Sequence, residues 1–247
     1  MPRFKLTIEY DGTNYCGWQR QLNGLSVQQV LEEAASAYCQ TKIIVHGAGR
    51  TDAGVHALAQ VAHVDLSRND SGRKVQDALN ALARPHPIAV VKAEEVADGF
   101  HARFDACERR YVYRILTRRA PAALDKDRVW WLSRDLDVDA MHKAAQRLVG
   151  EHDFSSFRAT ECQAKTPVKT LYALDVSRQG ETIEVYAKAP SFLHHQVRNM
   201  VGTLSLVGEG KWTAADVSAA LAAKNRAAGG PTAPPGGLYL TEVRYPS

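Results

Sequence analysis

An α+β fold made of two similar halves is predicted by three observations. Short segments that alternate apolar and polar residues, typical of half-buried strands, are interleaved with segments whose apolar residues recur at helical spacing. The elements follow the order β-α-β-β-α-β, and that order occurs twice. The chain of 247 residues is long enough for two ordinary domains with real cores. We therefore expect one half at residues 1–107 and the other at residues 108–247, with a cleft between them.

The first half begins with a strand, because apolar residues occupy every second position from Phe4 to Tyr10. Ser26 and Gln29 have the spacing of a capping box, so a helix is expected after them. The other elements predicted here are strands at 43–46, 60–66 and 88–96 and a helix whose apolar stripe is Val75, Ala78, Leu79 and Leu82. This order is that of a ferredoxin-like split unit.

The second half repeats the order after a joining strand at 109–116. Asp137 can cap a helix that Gly150 ends, and a helix from about His194 carries an apolar stripe from Val197 to Val207. The other elements predicted here are strands at 129–132, 168–177, 182–188 and 238–245 and a helix at 214–223. Both halves are therefore expected to be ferredoxin-like.

Composition and charge limit the classes of protein to which the chain can belong. Lys and Arg number 31 and Asp and Glu number 27, and the resulting formal net charge of +4 permits nucleic-acid binding without requiring it. The four cysteines include no C-x-x-C pair, so neither a zinc site nor a disulfide framework is expected. No apolar run reaches the roughly eighteen residues of a membrane span, and the first ten residues alternate instead of forming a signal sequence. We expect a cytoplasmic protein with no membrane partner.

The segment from His46 to Ala57 is the strongest candidate for chemistry. It follows an apolar β-branched run, so a strand should deliver it to a sheet edge, and its glycines free the backbone from its usual limits. Arg50, Thr51 and Asp52 lie between these glycines, which places a cation, a hydroxyl and an anion within three residues. A solvated turn is the alternative, because Asp and Gly are common turn residues.

Arg198 is a candidate partner for the carboxylate of Asp52. It stands beside the apolar stripe of its helix, so partial burial is expected, and a buried Arg requires a carboxylate. If Asp52 is that carboxylate, the guanidinium keeps it ionised in a dry pocket, where it can act as a nucleophile. An Arg whose stem covers apolar surface while its head reaches water is the alternative.

Tyr111 and a set of basic residues are candidates for contact with RNA. Tyr111 offers a flat face with a polar tip, which suits stacking on a base taken out of its helix, although packing in the core is the alternative. Basic residues in expected loops and strand ends could follow a phosphate backbone or lie on a solvated face: Arg20, Arg50, Arg103, Arg109, Arg110, Arg158, Lys165 and Lys169. His194 with His195, and His46 with His56, lack a third ligand at a helpful spacing, so no metal is expected.

Several short segments, spread nearly from end to end, match a known family. They are Tyr-Asp-Gly-Thr at 10–13, Gly-Trp-Gln at 17–19, the nine-residue run at 49–57, Phe-His-Ala-Arg-Phe at 100–104, Arg-Tyr at 110–111, Phe-Leu at 192–193, Val-Arg-Asn-Met-Val-Gly at 197–202 and Gly-Leu-Tyr-Leu at 237–240. With these segments in this order, the chain resembles the tRNA pseudouridine synthase A family. The run at 49–57 is highly specific to that family.

The resemblance implies a fold, an activity and a set of residue roles. The fold is a pseudouridine synthase fold, in which two ferredoxin-like halves with largely antiparallel sheets flank a central basic cleft. The activity is conversion of uridine to pseudouridine at positions 38, 39 and 40 of the tRNA anticodon stem-loop, by a homodimer without cofactor or metal. Four residues match family roles: Asp52 the catalytic aspartate, Arg50 the arginine that helps to displace the base, Tyr111 the tyrosine stacked on uracil, and Arg198 the basic partner of the aspartate. Substrate binding is expected of Arg103, Arg110 and Lys169.

Two departures from the family pattern and two competing hypotheses remain. Gln196 stands where an apolar residue, often Met, is expected, which bears on helix packing, and Lys169 stands where Arg is common, which removes a bidentate phosphate contact. One competing hypothesis is a non-catalytic RNA-binding or chaperone module on the same fold, since fold alone does not specify function. The other is a metal-dependent hydrolase that uses His46, His56 and Asp52.

Overall fold

A computed structural model describes residues 1–246, which form two compact units. The first unit contains residues 1–107 together with residues 240–246, and the second contains residues 108–239. The chain therefore returns at its end to the unit in which it began.

The elements of the first unit follow the predicted order β-α-β-β-α-β. They are β1 (Arg3–Tyr10), α1 (Val27–Cys39), β2 (Val45–Gly47), β3 (His56–Asp65), α2 (Gly72–Leu82) and β4 (Ile88–Val96). The strands pair in the spatial order β4-β1-β3-β2, and each of these pairs is antiparallel. The last strand of the chain, β11 (Leu238–Arg244), also pairs with β3. The unit is thus a ferredoxin-like sheet with one added strand.

The sequence patterns of the first unit are confirmed with four differences. The strand predicted at 43–46 lies at Val45–Gly47, and Leu82 of the predicted apolar stripe of α2 is 47% exposed, so only Val75 and Leu79 of that stripe are buried.

The other two differences concern the cap of α1 and the start of β3. Alternate residues of β1 are buried, and Ser26 caps α1 by accepting the backbone N–H of Gln29. The reciprocal half of the capping box is absent, because the side-chain amide of Gln29 donates to Glu33 instead. β3 begins at His56, before the predicted position 60, because its pairing with β1 extends to Ala57.

The second unit contains six strands and three α-helices ahead of β11. They are β5 (Glu108–Thr117), β6 (Trp130–Leu132), α3 (Val138–Ala145), β7 (Gly150–Asp153), β8 (Val168–Leu171), β9 (Ala173–Gln179), β10 (Thr182–Ala189), α4 (Gln196–Gly208) and α5 (Ala214–Ala223). β5, β10 and β9 form an antiparallel sheet in that order, and β6 joins β5 in parallel. β7 and β8 form a separate two-stranded antiparallel sheet.

β5 has a larger part in the second unit than the prediction gave it. It was expected to join the two halves, but it pairs with β10 from Arg109 to Leu116 and so is a full member of the sheet. Its inward-facing side chains Tyr113 and Ile115 are fully buried, which explains the strong alternation of its sequence. The segment expected to open the second half, β6, is only three residues long.

Three further boundaries in the second unit differ from the prediction. The segment at 168–177 breaks at Tyr172, whose N–H donates to the carbonyl of Lys188 at 2.7 Å, and its first part pairs with the unpredicted β7. The helix capped by Asp137 ends at Ala145 and continues as a 3-10 turn before Gly150. α4 begins after His195, because this residue has a left-handed φ of 62°.

The predicted α+β class with largely antiparallel strand pairing is confirmed. The apolar stripe of α4 lies in the core of the second unit, as predicted, with Val197, Met200, Val201, Leu204 and Val207 all buried. Among residues 1–246, no helix combines the length and the apolar character that crossing a membrane requires.

Candidate active site

The loop between β2 and β3, residues 48–55, carries the candidate catalytic residues of the first unit. As predicted, a strand delivers it: β2 ends at Gly47, and Ala48 then donates its N–H to the carbonyl of Val61 on β3 at 2.7 Å. The indole of Trp18 packs so closely on Gly47 that a Cβ there would lie 2.4 Å from the ring. The loop therefore starts from a fixed point.

A second segment, residues 12–18, is hydrogen-bonded to this loop through the backbone. The N–H of Trp18 donates to the carbonyl of Thr51 at 3.0 Å, and the N–H of Gly54 donates to the carbonyl of Tyr15 at 3.3 Å. Gly12 also lies against the loop, since a Cβ on it would be 1.9 Å from the carbonyl oxygen of Val55. These contacts explain why the Tyr-Asp-Gly-Thr and Gly-Trp-Gln segments accompany the loop sequence.

The central residue of the Arg-Thr-Asp triplet is buried, whereas its two neighbours are not. The Oγ1 of Thr51 is hydrogen-bonded to the phenol oxygen of Tyr10 at 2.7 Å, and burial raises the pKa of this phenol, so that it stays protonated. Asp52 is half-buried and Arg50 is exposed. The carbonyl of Asp52 accepts the N–H of Val55 at 3.1 Å, which closes a turn at this point. Anchoring Thr51 thus fixes the backbone of a cation and an anion on either side of it.

The guanidinium of Arg50 is oriented by a chain of side-chain amides that leads to α1. Its Nε donates to Oε1 of Gln19 at 3.1 Å, and Nε2 of Gln19 donates to Oε1 of Gln28 at 2.8 Å. Gln28 is in turn bonded through its own Nε2 to the carbonyl of Val45 at 2.9 Å. This chain of amides could not be predicted from local pattern, because none of its members stands beside Arg50 in the sequence.

The two histidines considered for a metal in the first unit have structural contacts. His56 is buried, and its Nδ1 accepts the N–H of Gly12 at 3.0 Å, which occupies that nitrogen. The ring of His46 stacks on His63, with the ring centroids 4.8 Å apart. In the part of the chain that the structure describes, no group of three metal-ligand side chains includes either His46 or His56.

Arg103 is the third candidate residue of the first unit. It lies in the segment 97–107 that follows β4 and is exposed, with its guanidinium carbon 5.8 Å from the centroid of the Phe104 ring. Its backbone N–H donates to Nδ1 of His101 at 3.2 Å. A cation next to an aromatic ring is a common arrangement where proteins bind single-stranded nucleic acid.

Tyr111 lies on β5 of the second unit, directly opposite Ala187 of β10. Its ring is largely buried and meets the ring of Phe192 edge to face, with the centroids 5.2 Å apart and an interplanar angle of 88°. Phe192 belongs to the Phe-Leu segment that precedes α4. This contact fixes the plane of the Tyr111 ring.

Arg110 belongs to a compact group of three charges. Its Nε is 2.7 Å from Oε1 of Glu108, and Nζ of Lys188 is 3.1 Å from the other carboxylate oxygen. Burial favours the protonated form of Glu108, but the hydrogen bonds from Arg110 and Lys188 outweigh it and hold the pKa of this carboxyl below its usual range. The carboxylate of Glu108 thus pairs with two cations, Arg110 and Lys188. Sequence analysis did not identify Glu108 or Lys188.

Arg198, in the first turn of α4, is half-buried and tied to the chain at both its backbone and its side chain. Its Nε donates to the carbonyl of Ala233 at 2.8 Å, and the N–H of Ala233 donates to the carbonyl of Arg198 at 3.1 Å. Because Nε is used in this way, the guanidinium has one defined orientation relative to residues 229–233.

A buried polar network holds residues 229–233 against α4. Oδ1 of Asn199 accepts the hydroxyl of Thr232 at 2.6 Å and a guanidinium nitrogen of Arg226 at 3.2 Å. The hydroxyl of Thr203 accepts the N–H of Gly230 at 2.9 Å. Gly202 allows the close approach, since a Cβ on it would lie 1.8 Å from the carbonyl oxygen of Pro231. None of these residues was identified from the sequence, although two lie in the Val-Arg-Asn-Met-Val-Gly segment.

The two departures from the family pattern occupy different environments. Gln196 is 1% exposed; its Oε1 accepts the N–H of Leu193 at 2.8 Å, while its Nε2 has no partner among residues 1–246. The polar side chain therefore closes the turn before α4 at the cost of one buried donor. Lys169 is half-buried on β8, opposite His152 of β7.

Comparison with known proteins shows to which family the chain belongs. A family model described as tRNA pseudouridine synthase matches residues 6–105 and 144–246. The chain belongs to the tRNA pseudouridine synthase family. The matched ranges of this family include Arg50, Asp52, Arg103, Lys169 and Arg198, whereas Arg110 and Tyr111 lie between them.

Individual members of the family cover the chain from end to end. The chain is 64% identical over 245 residues to tRNA pseudouridine synthase A of Rhodospirillum centenum, covering 99% of this chain and 100% of the relative. It is 62% identical to the protein of the same name from Rhodospirillum rubrum, covering 100% and 88%, and 58% identical to that of Parvibaculum lavamentivorans, covering 99% and 100%. The chain is thus a pseudouridine synthase that acts on tRNA, an isomerase.

Proposed function

We propose that the enzyme converts uridine to pseudouridine at positions 38, 39 and 40 of the tRNA anticodon stem-loop and that Asp52 carries the reaction. The observation that supports this most directly is the anchoring of the loop at 48–55, whose central residue Thr51 is buried and bonded to Tyr10 at 2.7 Å. A loop fixed in this way presents the carboxylate of Asp52 in a defined place, which a nucleophile requires.

The reaction breaks the bond between C1′ of the ribose and N1 of uracil and forms a bond from C1′ to C5. The hydrogen on C5 leaves as a proton, and N1 gains a proton. Asp52 either attacks C1′ or accepts a proton from the ribose during formation of a glycal; both routes need an ionised carboxylate, and the proposal leaves the choice open.

The remaining roles follow the family resemblance. Arg50, exposed and oriented by Gln19, helps to displace the target base, and Tyr111, held edge-on by Phe192, stacks on the uracil. Arg198 is proposed as the basic partner of Asp52. The contacts to phosphate are assigned to Arg103, Arg110 and Lys169. We further propose that the enzyme works as a homodimer in the cytoplasm, without a cofactor or a metal.

The first experiment measures release of tritium from tRNA that carries uridine tritiated at C5, because formation of the new bond replaces that hydrogen. Asp52→Ala is expected to reduce release at least about 10³-fold, in line with the loss of a nucleophile in other enzymes. Asp77→Ala, an exposed aspartate on α2 of the same unit, serves as the matched control and is expected to keep full activity.

Three outcomes of this experiment carry information. Substantial release by Asp52→Ala, with thermal unfolding unchanged, would contradict the role of Asp52. Inhibition by a chelator would contradict the assignment of a metal-free reaction. Transcripts that keep uridine at only one of positions 38, 39 and 40 show which position is modified. If none of these transcripts releases tritium while the complete tRNA does, the anticodon stem-loop is not the target.

A further inference from the structure

Four aromatic rings of the first unit are in contact in a series that ends at the protein surface: His46 stacks on His63, His63 meets His101 edge to face, and His101 lies tilted against Phe104. The ring centroids of His46 and His63 are 4.8 Å apart, those of His63 and His101 are 4.6 Å apart, and those of His101 and Phe104 are 4.3 Å apart. His63 is buried, whereas Phe104 at the end of this series is 75% exposed.

The segment that carries Phe104 is firmly anchored on both sides of its buried centre. Ala102 is fully buried; its N–H donates to Nδ1 of His63 at 3.1 Å, and its carbonyl accepts the hydroxyl of Tyr245 at 2.7 Å. Nδ1 of His101 accepts the N–H groups of Arg103 at 3.2 Å and Phe104 at 3.3 Å. The exposure of Phe104 is therefore built into an ordered turn.

An ordered, exposed aromatic ring offers apolar surface whose burial against a partner is favourable. One side of the Phe104 ring is engaged by His101 at an interplanar angle of 33°, and three quarters of the residue stays accessible. Its neighbours in sequence, His101, Arg103 and Asp105, are polar, so along this turn the ring is a single apolar side chain among polar ones.

The charge beside the ring favours a nucleic-acid partner. The guanidinium carbon of Arg103 lies 5.8 Å from the Phe104 centroid, and Arg103 is itself exposed. A flat aromatic face next to a cation provides what one unpaired nucleotide needs, since the base stacks on the ring and its phosphate meets the charge. The family to which the chain belongs acts on an RNA that contains unpaired bases.

We propose that Phe104 is a stacking platform for one unpaired nucleobase of the tRNA and that Arg103 contacts a phosphate next to that base. The base stacks on the face of the Phe104 ring that His101 leaves open. This platform is separate from the stacking on the target uracil that we assign to Tyr111. The inference rests on the proposed function only for its partner, tRNA.

Equilibrium binding of a complete tRNA transcript at one fixed salt concentration tests the platform. Phe104→Ala is expected to raise the Kd about tenfold, and Phe104→Leu by a similar factor, because leucine keeps apolar surface but has no flat π face. Phe104→Trp is expected to stay within about threefold of the unchanged protein. Leu22→Ala, which removes another exposed apolar side chain from the same unit, is the matched control and should leave the Kd unchanged.

Steady-state tritium release adds a readout that a purely structural role would not give. Because Phe104 is not assigned to the reacting atoms, Phe104→Ala is expected to raise KM about tenfold and to leave kcat and the thermal unfolding temperature nearly unchanged. Equal losses in kcat and stability would overturn the inference, since they would show that the ring supports the fold. So would a Kd for Phe104→Leu equal to that of the unchanged protein.

A photo-reactive p-benzoylphenylalanine in place of Phe104 identifies the partner directly. A crosslink to one nucleotide of tRNA supports the platform, and a crosslink to a second copy of the chain overturns it. Tritium release by the unchanged protein is measured first. Its absence would contradict the proposed function, whereas normal release together with normal tRNA binding by Phe104→Ala would overturn this inference alone.

Discussion

The loop at 48–55 and the start of α4 both hold a charged residue in place, but they do so by different means. The loop of Asp52 is fixed by backbone hydrogen bonds, of which the bond from Trp18 to Thr51 is one, together with the contact of Gly12 and Val55. The region of Arg198 on α4 is fixed mainly by buried polar side chains. Backbone anchoring restrains a whole segment at once, whereas a side-chain network can be altered one group at a time.

The largest effect on the free energy of unfolding is expected at a feature that the two regions share, a glycine packed against a backbone carbonyl. Gly12→Ala would place a Cβ 1.9 Å from the oxygen of Val55, and Gly202→Ala would place one 1.8 Å from the oxygen of Pro231. Each is expected to lower the free energy of unfolding by about 3 kcal/mol, the cost of overpacking, even though alanine gains about 1 kcal/mol of helix propensity at Gly202.

Urea denaturation measures these changes, and Gly99→Ala is the matched control, because a Cβ at Gly99 meets nothing within 4 Å. If either Gly12→Ala or Gly202→Ala unfolds with the same midpoint as Gly99→Ala, the corresponding region yields to the added methyl group and is not fixed as described.

A smaller effect is expected at acid pH, which should lower the stability of the first unit more than that of the second. Burial, together with the nearby charges of His46, His101 and Arg3, lowers the pKa of His63 to about 4 against the opposing effect of Asp65. His63 is therefore neutral in the folded protein, whereas in the unfolded chain it protonates near pH 6.5. The stability that neutral His63 contributes is fully present above about pH 6.5. As the pH falls from there toward 4, the free energy of unfolding decreases by at most about 3 kcal/mol.

His63→Asn checks this expectation, because its side-chain oxygen can still accept the N–H of Ala102 but does not titrate in this range. Between pH 7 and pH 5 the free energy of unfolding of the unchanged protein should fall by about 2 kcal/mol more than that of His63→Asn. Parallel curves for the two proteins would contradict the assignment. The network around Asn199 contains no group that titrates in this range, so hydrogen exchange in the second unit should respond less.

The smallest expected effect is the loss of one hydroxyl from the network of the second unit. Thr232→Val keeps the shape of the side chain but removes the hydroxyl that bonds Asn199, so residues 229–233 and the carbonyl of Ala233 should hold Arg198 less well. We expect kcat for tritium release to fall about tenfold, with KM within about threefold, which corresponds to about 1.4 kcal/mol. Thr232→Ser should restore kcat; equal values for Val and Ser would contradict the positioning role.

The sequence predicted the elements whose stability is local. The alternation of β1, the caps at Ser26 and Asp137, and the helix α5 are all present as expected. The failures concern pairing between distant segments. β7 has no apolar alternation of its own and exists because β8 lies beside it, and the break at Tyr172 depends on a bond to Lys188. Such partners cannot be identified from local pattern alone.

The same division applies to the candidate site. Arg50 and Asp52 could be singled out because they share a glycine-rich loop, and Arg198 because it stands beside an apolar stripe. The residues that hold them could not, since Gln19 is 31 positions from Arg50 and Ala233 is 35 positions from Arg198. A supporting residue is recognised by its hydrogen bond, and the sequence does not reveal which distant group supplies the other end of that bond.

The return of β11 to the first unit has a consequence for synthesis on the ribosome. β11 pairs with β3, and the other strands of the first unit all lie before residue 97, so this neighbour of β3 is missing while the whole second unit is made. At cellular rates of elongation that interval is on the order of ten seconds. During this time part of β3 is an open strand edge, the kind of edge that pairs with other chains and leads to aggregation.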